Sequence, residues 1–270
     1  MSDELVTIEV KDGVADVRLN RAEKYNALSP DMFKAIVDAG QRVAEMSGVR
    51  AVVLSGNGRG FCAGLDMESF AGMADADNEG ETGGGLLAKG EGPENFAQRP
   101  AYVWKQMPVP VIAALHGVAY GGGAQIALGA DIRIAAPDTK MSVMEIKWGL
   151  IPDMSLTQTL RDLVPLDVAK ELTFTGQILS GEQAQALGLV TRVADNPLEE
   201  ALSLAAEIAG KSPDAIRAGK KLLDEAWHAD ERTGLELEAA LQTQLIGKPN
   251  QIEAIAANFE KRAPNFTDPE

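Results

Sequence analysis

The sequence predicts an α/β body followed by an all-helical C-terminal region. Two observations predict the body: apolar runs typical of buried strands at 51–55 and 109–115 each lead into glycines, and the second continues into a segment of helical composition. A third observation predicts the helical region, because residues from 197 onward carry helical patterns and hardly any strand pattern. We therefore expect a body at 1–196 and a helical region at 197–270.

The chain begins with a predicted hairpin and an amphipathic helix. Residues 5–20 alternate apolar and polar side chains around Asp12-Gly13, which is the pattern of two antiparallel strands joined by a tight turn. A helix is predicted from Ser29-Pro30 to about residue 46, with proline in its first turn and apolar residues at helical spacing. Residues 75–94 are polar and glycine-rich, so we expect a mobile loop there, beside the site.

Shorter elements are predicted around and after the central glycines. Strand patterns occupy 131–136 and 140–145, and a helix is expected over 155–163. Ser180 and Gln183 predict a capping box for a helix that ends before Gly188. The C-terminal region carries four helical patterns whose apolar stripes are expected to complete a core or a subunit interface, at 197–210, 213–229, 233–246 and 249–262. The third pattern includes an apolar stripe made of Leu235, Leu237, Leu241, Leu245 and Ile246.

Composition and charge exclude several classes of function. The chain has 270 residues, of which 45% are hydrophobic, enough for one sizeable core. Its formal charge of −15 argues against binding to nucleic acid or to an anionic membrane, because both require basic surface. No apolar run is long enough to span a membrane, and residues 1–10 show no signal-peptide pattern. We therefore expect a cytoplasmic protein.

The rarest side chains do not suggest a metal site. The chain has one cysteine, Cys62, and two histidines, His116 and His228, so neither a disulfide framework nor a zinc site is expected. Cys62 and His116 lie in apolar runs, where a buried structural role is favoured over catalysis. A dinucleotide fingerprint at 56–64 fails on spacing, because its third glycine would fall at Phe61. Ser55 is not part of a G-x-S-x-G nucleophile motif.

The glycines predict a site that binds an anion. Gly121, Gly122 and Gly123 stand between a strand and a helix, where backbone N–H groups can approach a ligand oxygen closely. The glycine-punctuated segment 55–66 can bring a second N–H group to the same place. Two such groups would form an oxyanion hole.

Two carboxylates complete the predicted site. Glu145 and Asp153 lie among apolar residues, and neither has an arginine beside it in sequence. One interpretation is a pair of solvated loop carboxylates. The other is a desolvated base whose pKa rises toward neutrality, which suits proton transfer next to an oxyanion hole.

These segments resemble the crotonase superfamily, the enoyl-CoA hydratase/isomerase family. The resemblance runs in the family's order over nearly the whole chain, through NRAEKYNALS at 20–29, SGNGRGFCAGLDM at 55–67, HGVAYGGGAQIALGADIRIA at 116–135 and MEIKWGLIPD at 144–153. It implies a crotonase-like spiral of ββα units and a C-terminal helical trimerisation region, often in a dimer of trimers. It also implies an acyl-CoA thioester substrate and no separate cofactor, since coenzyme A is part of the substrate.

The resemblance implies a role for each residue of the site. The oxyanion hole would be the backbone N–H groups of Leu65 and Gly122. Glu145 falls on one of the two glutamates of the hydratases, and Gln125, which cannot take up a proton, falls on the other. Asp153 falls where dienoyl-CoA isomerases carry an aspartate and where a benzoyl-CoA dehalogenase carries its nucleophile. The dehalogenase's companion histidine and tryptophan are not matched.

Other positions are expected to bind the substrate. Lys24 and Lys261 fall near positions that contact coenzyme A phosphates in the family, Lys261 from a neighbouring subunit. Ala63, Asp66 and Gln125 are also expected to contact the substrate.

Three reactions follow from these residues. With Gln125 neutral, the glutamate pair used for hydration is incomplete, which favours an enoyl- or dienoyl-CoA isomerase. A 1,3-shift of a double bond needs one carboxylate, and a 1,5-shift could use Glu145 with Asp153. Enoyl-CoA hydration is the first alternative, in which Asp153 would replace the missing glutamate. Thioester hydrolysis through Asp153 is the second. An RNA-binding role, known for some relatives, is disfavoured by the charge.

Overall fold

A central sheet organises the body of the chain. The computed structural model describes residues 4–66, 89 and 92–269. Within them, six strands form one sheet in the order β1-β2-β3-β4-β6-β8, and β5 and β7 form a separate pair. Of the pairings between these strands, only β1–β2 is antiparallel. The strands are β1 Val6–Lys11, β2 Val14–Leu19, β3 Ala51–Gly56, β4 Val111–Leu115, β5 Val118–Tyr120, β6 Ile132–Ala135, β7 Lys140–Ser142 and β8 Arg192–Val193.

Helices cover both faces of this sheet and form the C-terminal region. They are α1 Pro30–Glu45, α2 Arg99–Lys105, α3 Gly122–Leu128, α4 Leu156–Thr159, α5 Leu166–Thr175, α6 Gly181–Leu187, α7 Pro197–Ala209, α8 Pro213–Ala226, α9 Glu231–Leu245 and α10 Pro249–Glu260. Short 3₁₀ turns occupy Ala22–Lys24 and Glu145–Trp148. The fold is mixed α/β, as the sequence predicted.

The sheet is buried on both faces, which explains its continuous apolar strands. On one face, Leu54 and Leu115 pack into a large core that also contains Trp104 of α2 and Phe33 of α1. On the other face the strands pack against α7, which presents a row of alanines one helical turn apart at 201, 205 and 209. These small side chains let the helix approach the sheet closely. The first helix of the C-terminal region therefore completes the core of the body, and the domain boundary at 196/197 stays a prediction.

Most of the predicted elements are confirmed. The hairpin turns at Asp12-Gly13, where both residues have positive φ. The Ser29 side chain accepts a hydrogen bond from the N–H of Met32 at the start of α1. The capping box of α6 is present with both of its hydrogen bonds.

Several short elements differ from the prediction. The helix expected over 155–163 is only the single turn α4, because Ser155 has φ +67 and the chain leaves the helical path after Thr159. Helices α2 and α5 and the short strands β5 and β8 were not predicted. The loop predicted over 75–94 lies outside the described residues, apart from 89 and 92–94.

The end of the chain returns to the body. Arg50, which directly precedes β3, donates hydrogen bonds to the carboxylate of Asp268 at 2.6 Å and to the backbone oxygens of Ala209 and Phe266. Lys220 of α8 forms ion pairs with Asp131 of the body and with Asp224. These contacts fix the helical region on the sheet. No helix in the described ranges is both long enough and apolar enough to cross a membrane.

Candidate active site

The two glycine-rich segments lie side by side. The N–H of Leu28 donates to the oxygen of Gly64 at 2.8 Å, and the N–H of Asp66 donates to the oxygen of Leu28 at 3.1 Å. In a parallel bridge of this kind, the residue between the two bonded ones turns its own N–H and C=O to the opposite side. The N–H of Leu65 therefore points away from Leu28, as a predicted oxyanion donor should.

The opposite side of the segment is held by β5. The N–H of Cys62 donates to the oxygen of Val118, and the N–H of Tyr120 donates to the oxygen of Cys62, both at 3.0 Å. This pairing carries the chain directly from Tyr120 into the glycine turn. The position of that turn is therefore set by the first glycine segment.

Gly64 is a point of close approach between the two segments. It has φ +85, and a Cβ built on it would lie 2.6 Å from the backbone oxygen of Tyr120 and 3.6 Å from the N of Gly122. No side chain fits between the two backbones. The glycine thus allows the predicted donors of Leu65 and Gly122 to lie next to each other.

Gly122 begins α3, after Gly121 at φ +52. The first N–H groups of a helix have no acceptor within the helix, so that of Gly122 is available to a ligand. A Cβ on Gly122 would meet the Sδ of Met154 at 2.7 Å and a methyl of Leu28 at 2.8 Å. The predicted oxyanion site is therefore closely surrounded by apolar side chains.

Asn26 fastens the N-terminal segment to the first glycine segment. Its side chain is fully buried, and its amide nitrogen donates to the backbone oxygens of Asn57, Gly60 and Phe61, each at 3.0 Å. Its side-chain oxygen accepts from the N–H of Arg21 at 2.8 Å. This one amide holds the strand end that leads to Leu65. Sequence reasoning missed this role, although Asn26 lies within the segment NRAEKYNALS.

Glu145 lies beside the glycine turn. It follows β7, whose Ser142 accepts a hydrogen bond from the N–H of Gly121, and it opens a 3₁₀ turn. A Cβ on Gly121 would lie 3.2 Å from Oε1 of Glu145, so the carboxylate is in contact with the start of α3. Oε2 of Glu145 is buried and has no hydrogen-bond partner among the described residues.

Glu145 is half-buried, and Asp153 is exposed as a residue although its carboxyl group is partly desolvated. Burial raises the pKa of Glu145 above its ordinary value; hydrogen bonds from its own backbone N–H and from Gln125 oppose this rise, and the charge of Asp153 adds to it. Burial likewise raises the pKa of Asp153, and a hydrogen bond from its own backbone N–H opposes this rise. The solvated-loop interpretation does not fit Glu145, whereas Asp153 keeps contact with solvent in the single chain. Their environment suits carboxylates that exchange protons.

Gln125 connects the second glycine segment to the carboxylate segment. It is fully buried in α3, and its side-chain N–H donates to Oε1 of Glu145 at 2.6 Å. Its side-chain oxygen accepts from the N–H of Met154, the residue after Asp153, at 2.8 Å. Helix α3 thus carries a predicted oxyanion donor and also holds both ends of the segment between the carboxylates.

The remaining predicted positions lie around this centre. Asp66 is buried and forms an ion pair with Arg21, which also donates to the backbone oxygen of Ala27. Ala63 is half-buried beside the predicted oxyanion site. Lys24 is exposed in the first 3₁₀ turn, and Lys261 is exposed at the end of α10. The substrate contacts of these residues, including that of Lys261 with a neighbouring subunit's site, stay predictions.

Cys62 and His116 have structural contacts. Burial raises the pKa of the Cys62 thiol to about 12, and its Sγ donates to the backbone oxygen of Asn26. His116 bonds the backbone oxygen of Gly58 through Nε2 at 3.0 Å. Over the described parts of the chain, no group of three or more His, Cys, Asp or Glu side chains is arranged to hold a metal ion.

Comparison with known proteins agrees with this architecture. Residues 9–269 match the family model described as enoyl-CoA hydratase/isomerase. Mitochondrial methylglutaconyl-CoA hydratase of Mus musculus is 33% identical, over 96% of this chain and 81% of that protein. Mitochondrial enoyl-CoA hydratase domain-containing protein 2 of the same species is 35% identical, over 94% of this chain and 84% of that protein. The crystal structure of enoyl-CoA hydratase from Bacillus anthracis superposes with a TM-score of 0.87, at 30% identity over 97% of this chain and 98% of that one. The chain therefore has the crotonase fold and is an enzyme of the enoyl-CoA hydratase/isomerase family.

Proposed function

We propose that this enzyme moves a double bond within an enoyl- or dienoyl-CoA thioester. The observation that carries the proposal is the contact between Gln125 and Glu145 at 2.6 Å. Hydration in this family shares its proton transfers between two glutamates, and here one of the two positions holds an amide that cannot take up or release a proton. A shift of a double bond requires only a carboxylate that removes a proton and returns it to another carbon.

The proposed reaction uses the thioester oxygen as its electron sink. The backbone N–H groups of Leu65 and Gly122 would bind this oxygen as the α- or γ-proton leaves, and preorganised donors of this kind contribute about 3–4 kcal/mol each to the stabilisation of an enolate. Glu145 would take the proton, and the electron pair would move onto the oxygen. Return of the proton to a different carbon restores the thioester with its double bond displaced.

Asp153 determines which shift is possible. The charge of Asp153 is close enough to raise the pKa of Glu145, and its own carboxyl is partly desolvated. A 1,5-shift from a 3,5-diene to a 2,4-diene needs acid–base groups at two separated carbons, and these two carboxylates supply them. A 1,3-shift needs Glu145 alone.

Enoyl-CoA hydration is the second candidate. It is supported by the names of the similar proteins, which include methylglutaconyl-CoA hydratase from Mus musculus and enoyl-CoA hydratase from Bacillus anthracis. In that reaction Glu145 would activate water, and Asp153 would replace the missing glutamate as the second acid–base group.

The proposal extends to assembly and cofactor use. Exposed apolar side chains on the C-terminal helices support a homotrimer or a dimer of trimers, since Leu235 is 57%, Ile246 63% and Phe259 85% exposed in the single chain. We propose that the coenzyme A of the substrate is the only cofactor. A cytoplasmic location stays a prediction, and two of the similar proteins are described as mitochondrial.

Two substitutions test the proposed roles. Glu145→Gln should abolish turnover and keep acyl-CoA binding by calorimetry, because the amide has the carboxylate's shape and cannot accept the proton. Asp153→Asn should lower a 1,5-shift by about 10²-fold or more, the scale of a lost acid–base group, and leave a 1,3-shift largely intact. Simultaneous loss of binding and turnover in Glu145→Gln would assign that residue a structural role and contradict the proposal.

A further inference from the structure

The side-chain amide of Gln125 is held by two protein partners, one at its nitrogen and one at its oxygen. One N–H donates to Oε1 of Glu145, and the carbonyl oxygen accepts from the N–H of Met154. The opposite orientation of the amide would place two acceptors together at Glu145 and two donors together at Met154, so the partners fix it. The residue is also fully buried, within a short helix whose next turn is part of the core.

This contact gives the two carboxylate oxygens of Glu145 different hydrogen-bonding environments. Oε1 receives a charge-assisted hydrogen bond, which is among the strong kinds in proteins. Oε2 is buried and has no hydrogen-bond partner among the described residues, so its lone pairs are available. A proton taken from a substrate carbon is therefore accepted most readily at Oε2.

The second contact acts on the other carboxylate. Residues 146–151, which lie between Glu145 and Met154, are exposed, and Ile151 reaches 75%. The bond to Met154 fixes the peptide group that directly follows Asp153. Gln125 therefore ties both ends of this exposed segment to α3, the helix that begins with Gly122.

We propose that Gln125 is a positioning residue, which holds Oε1 of Glu145 and the N–H of Met154 so that Oε2 of Glu145 removes and returns the substrate proton. The step is balanced: the C–H bond breaks, its electron pair moves to the thioester oxygen, the proton goes to Oε2, and it returns from there to another carbon. The inference rests on the proposed function insofar as Glu145 is the base. It gives Gln125 a role that is distinct from the substrate contact implied by the resemblance.

The test measures Glu145 directly, in the absence of substrate. The protein is prepared with ¹³C-labelled glutamate carboxyl groups, and the signal that disappears in Glu145→Gln identifies the residue. Its titration midpoint is compared in the wild type, Gln125→Met and Gln125→Asn. The methionine variant removes both hydrogen bonds, and the shorter asparagine cannot reach both partners. Both midpoints should move to higher pH, because the hydrogen bond that favours the charged carboxylate is lost.

Kinetics supply the second readout. In Gln125→Met, kcat should fall by about 10²-fold, the scale of a catalytic group displaced by about 1 Å, with a much smaller change in KM. The acid limb of the pH profile of its activity should move to higher pH by the same amount as the titration midpoint of Glu145. The matched control is Gln185→Met on the exposed face of α6, which should match the wild type in every measurement.

Specific outcomes would overturn the inference. A Gln125→Met enzyme with the wild-type midpoint, kcat and pH profile would show that the amide does not position Glu145. A raised KM with an unchanged kcat would assign Gln125 to substrate binding instead. If Gln125→Met does not fold, Gln125→Glu decides, since it keeps the shape and an acceptor for Met154 but sets a carboxylate against Oε1. Its Glu145 midpoint must rise, and an unchanged midpoint would refute the proposal.

The titration also separates this inference from the proposed function. A wild-type enzyme that hydrates its substrate would contradict the isomerase proposal. The midpoint measurement would stand, because Glu145 acts as a base in either reaction.

Discussion

The substitution Gly64→Ala tests whether the two glycine-rich segments form one oxyanion hole. An added Cβ would lie 2.6 Å from the backbone oxygen of Tyr120, so this carbonyl must retreat by about half an ångström or more in a closely packed surrounding. The carbonyl is two residues before Gly122, and its displacement moves the N–H of that glycine. Loss of one oxyanion donor costs about 10²–10³-fold in kcat, and we expect a loss of at least about 10²-fold here.

The cost in stability must be separated from the loss of activity. Alanine in the left-handed region costs about 1–2 kcal/mol at any position. Gly247, between α9 and α10, provides the matched control, because it has φ +75 and an added Cβ would meet nothing within 4 Å. Gly247→Ala should therefore lose the same amount of stability, about 1–2 kcal/mol, through its backbone conformation and keep the wild-type kcat.

The assay combines urea unfolding with turnover of an enoyl- or dienoyl-CoA substrate. We expect Gly64→Ala to be less stable than Gly247→Ala and to be severely impaired in kcat. A Gly64→Ala enzyme with the kcat of the control would refute the reasoning, since the two donors would then not depend on the contact between Gly64 and Tyr120.

Three further predictions concern stability, pH and assembly. Asn26→Ala should lower the free energy of unfolding by roughly 3 kcal/mol in urea titrations. The substitution leaves several buried backbone groups unpaired, each of which costs about 1–3 kcal/mol before the surrounding structure relaxes. A change below about 1 kcal/mol would contradict the role of Asn26 in holding the two segments together. The acid limb of kcat/KM should lie above the pH expected for an exposed carboxylate, because a base must be deprotonated and burial raises the pKa of both Glu145 and Asp153; a limb at the ordinary carboxylate value would count against Glu145 as the base. Light scattering at micromolar concentration should give the mass of a trimer or hexamer, and a monomer mass would contradict the proposed assembly.

Local patterns in the sequence were sufficient for most of the fold. The hairpin at Asp12-Gly13, the cap of α1 at Ser29 and the capping box at Ser180 depend on residues within a few positions of one another. Such signals can be found without knowing the tertiary structure. Strand β5 has only three residues, which is too short for its alternation to be recognised, and yet it carries the chain into the glycine turn.

The missed parts of the site depend on contacts between distant residues. Asn26 bonds residues more than thirty positions away, and Gln125 bonds Met154 across twenty-nine positions. The sequence identified Gln125 as a neutral replacement for a glutamate, but its two partners emerge only from the fold. Likewise, Glu145 and Asp153 could be selected from the sequence as unpaired carboxylates in apolar surroundings, whereas the unequal state of the two Glu145 oxygens could not.

The central claim is that this site moves a double bond and does not add water. The most direct measurement is incubation of the purified enzyme with 2-enoyl-, 3-enoyl- and 3,5-dienoyl-CoA, followed by mass spectrometry and by NMR location of the double bond. We predict that a 3-enoyl or 3,5-dienoyl substrate yields a product of unchanged mass with its double bond displaced. Rapid gain of one water by 2-enoyl-CoA, with both other substrates left unchanged, would contradict the account and assign the enzyme as a hydratase.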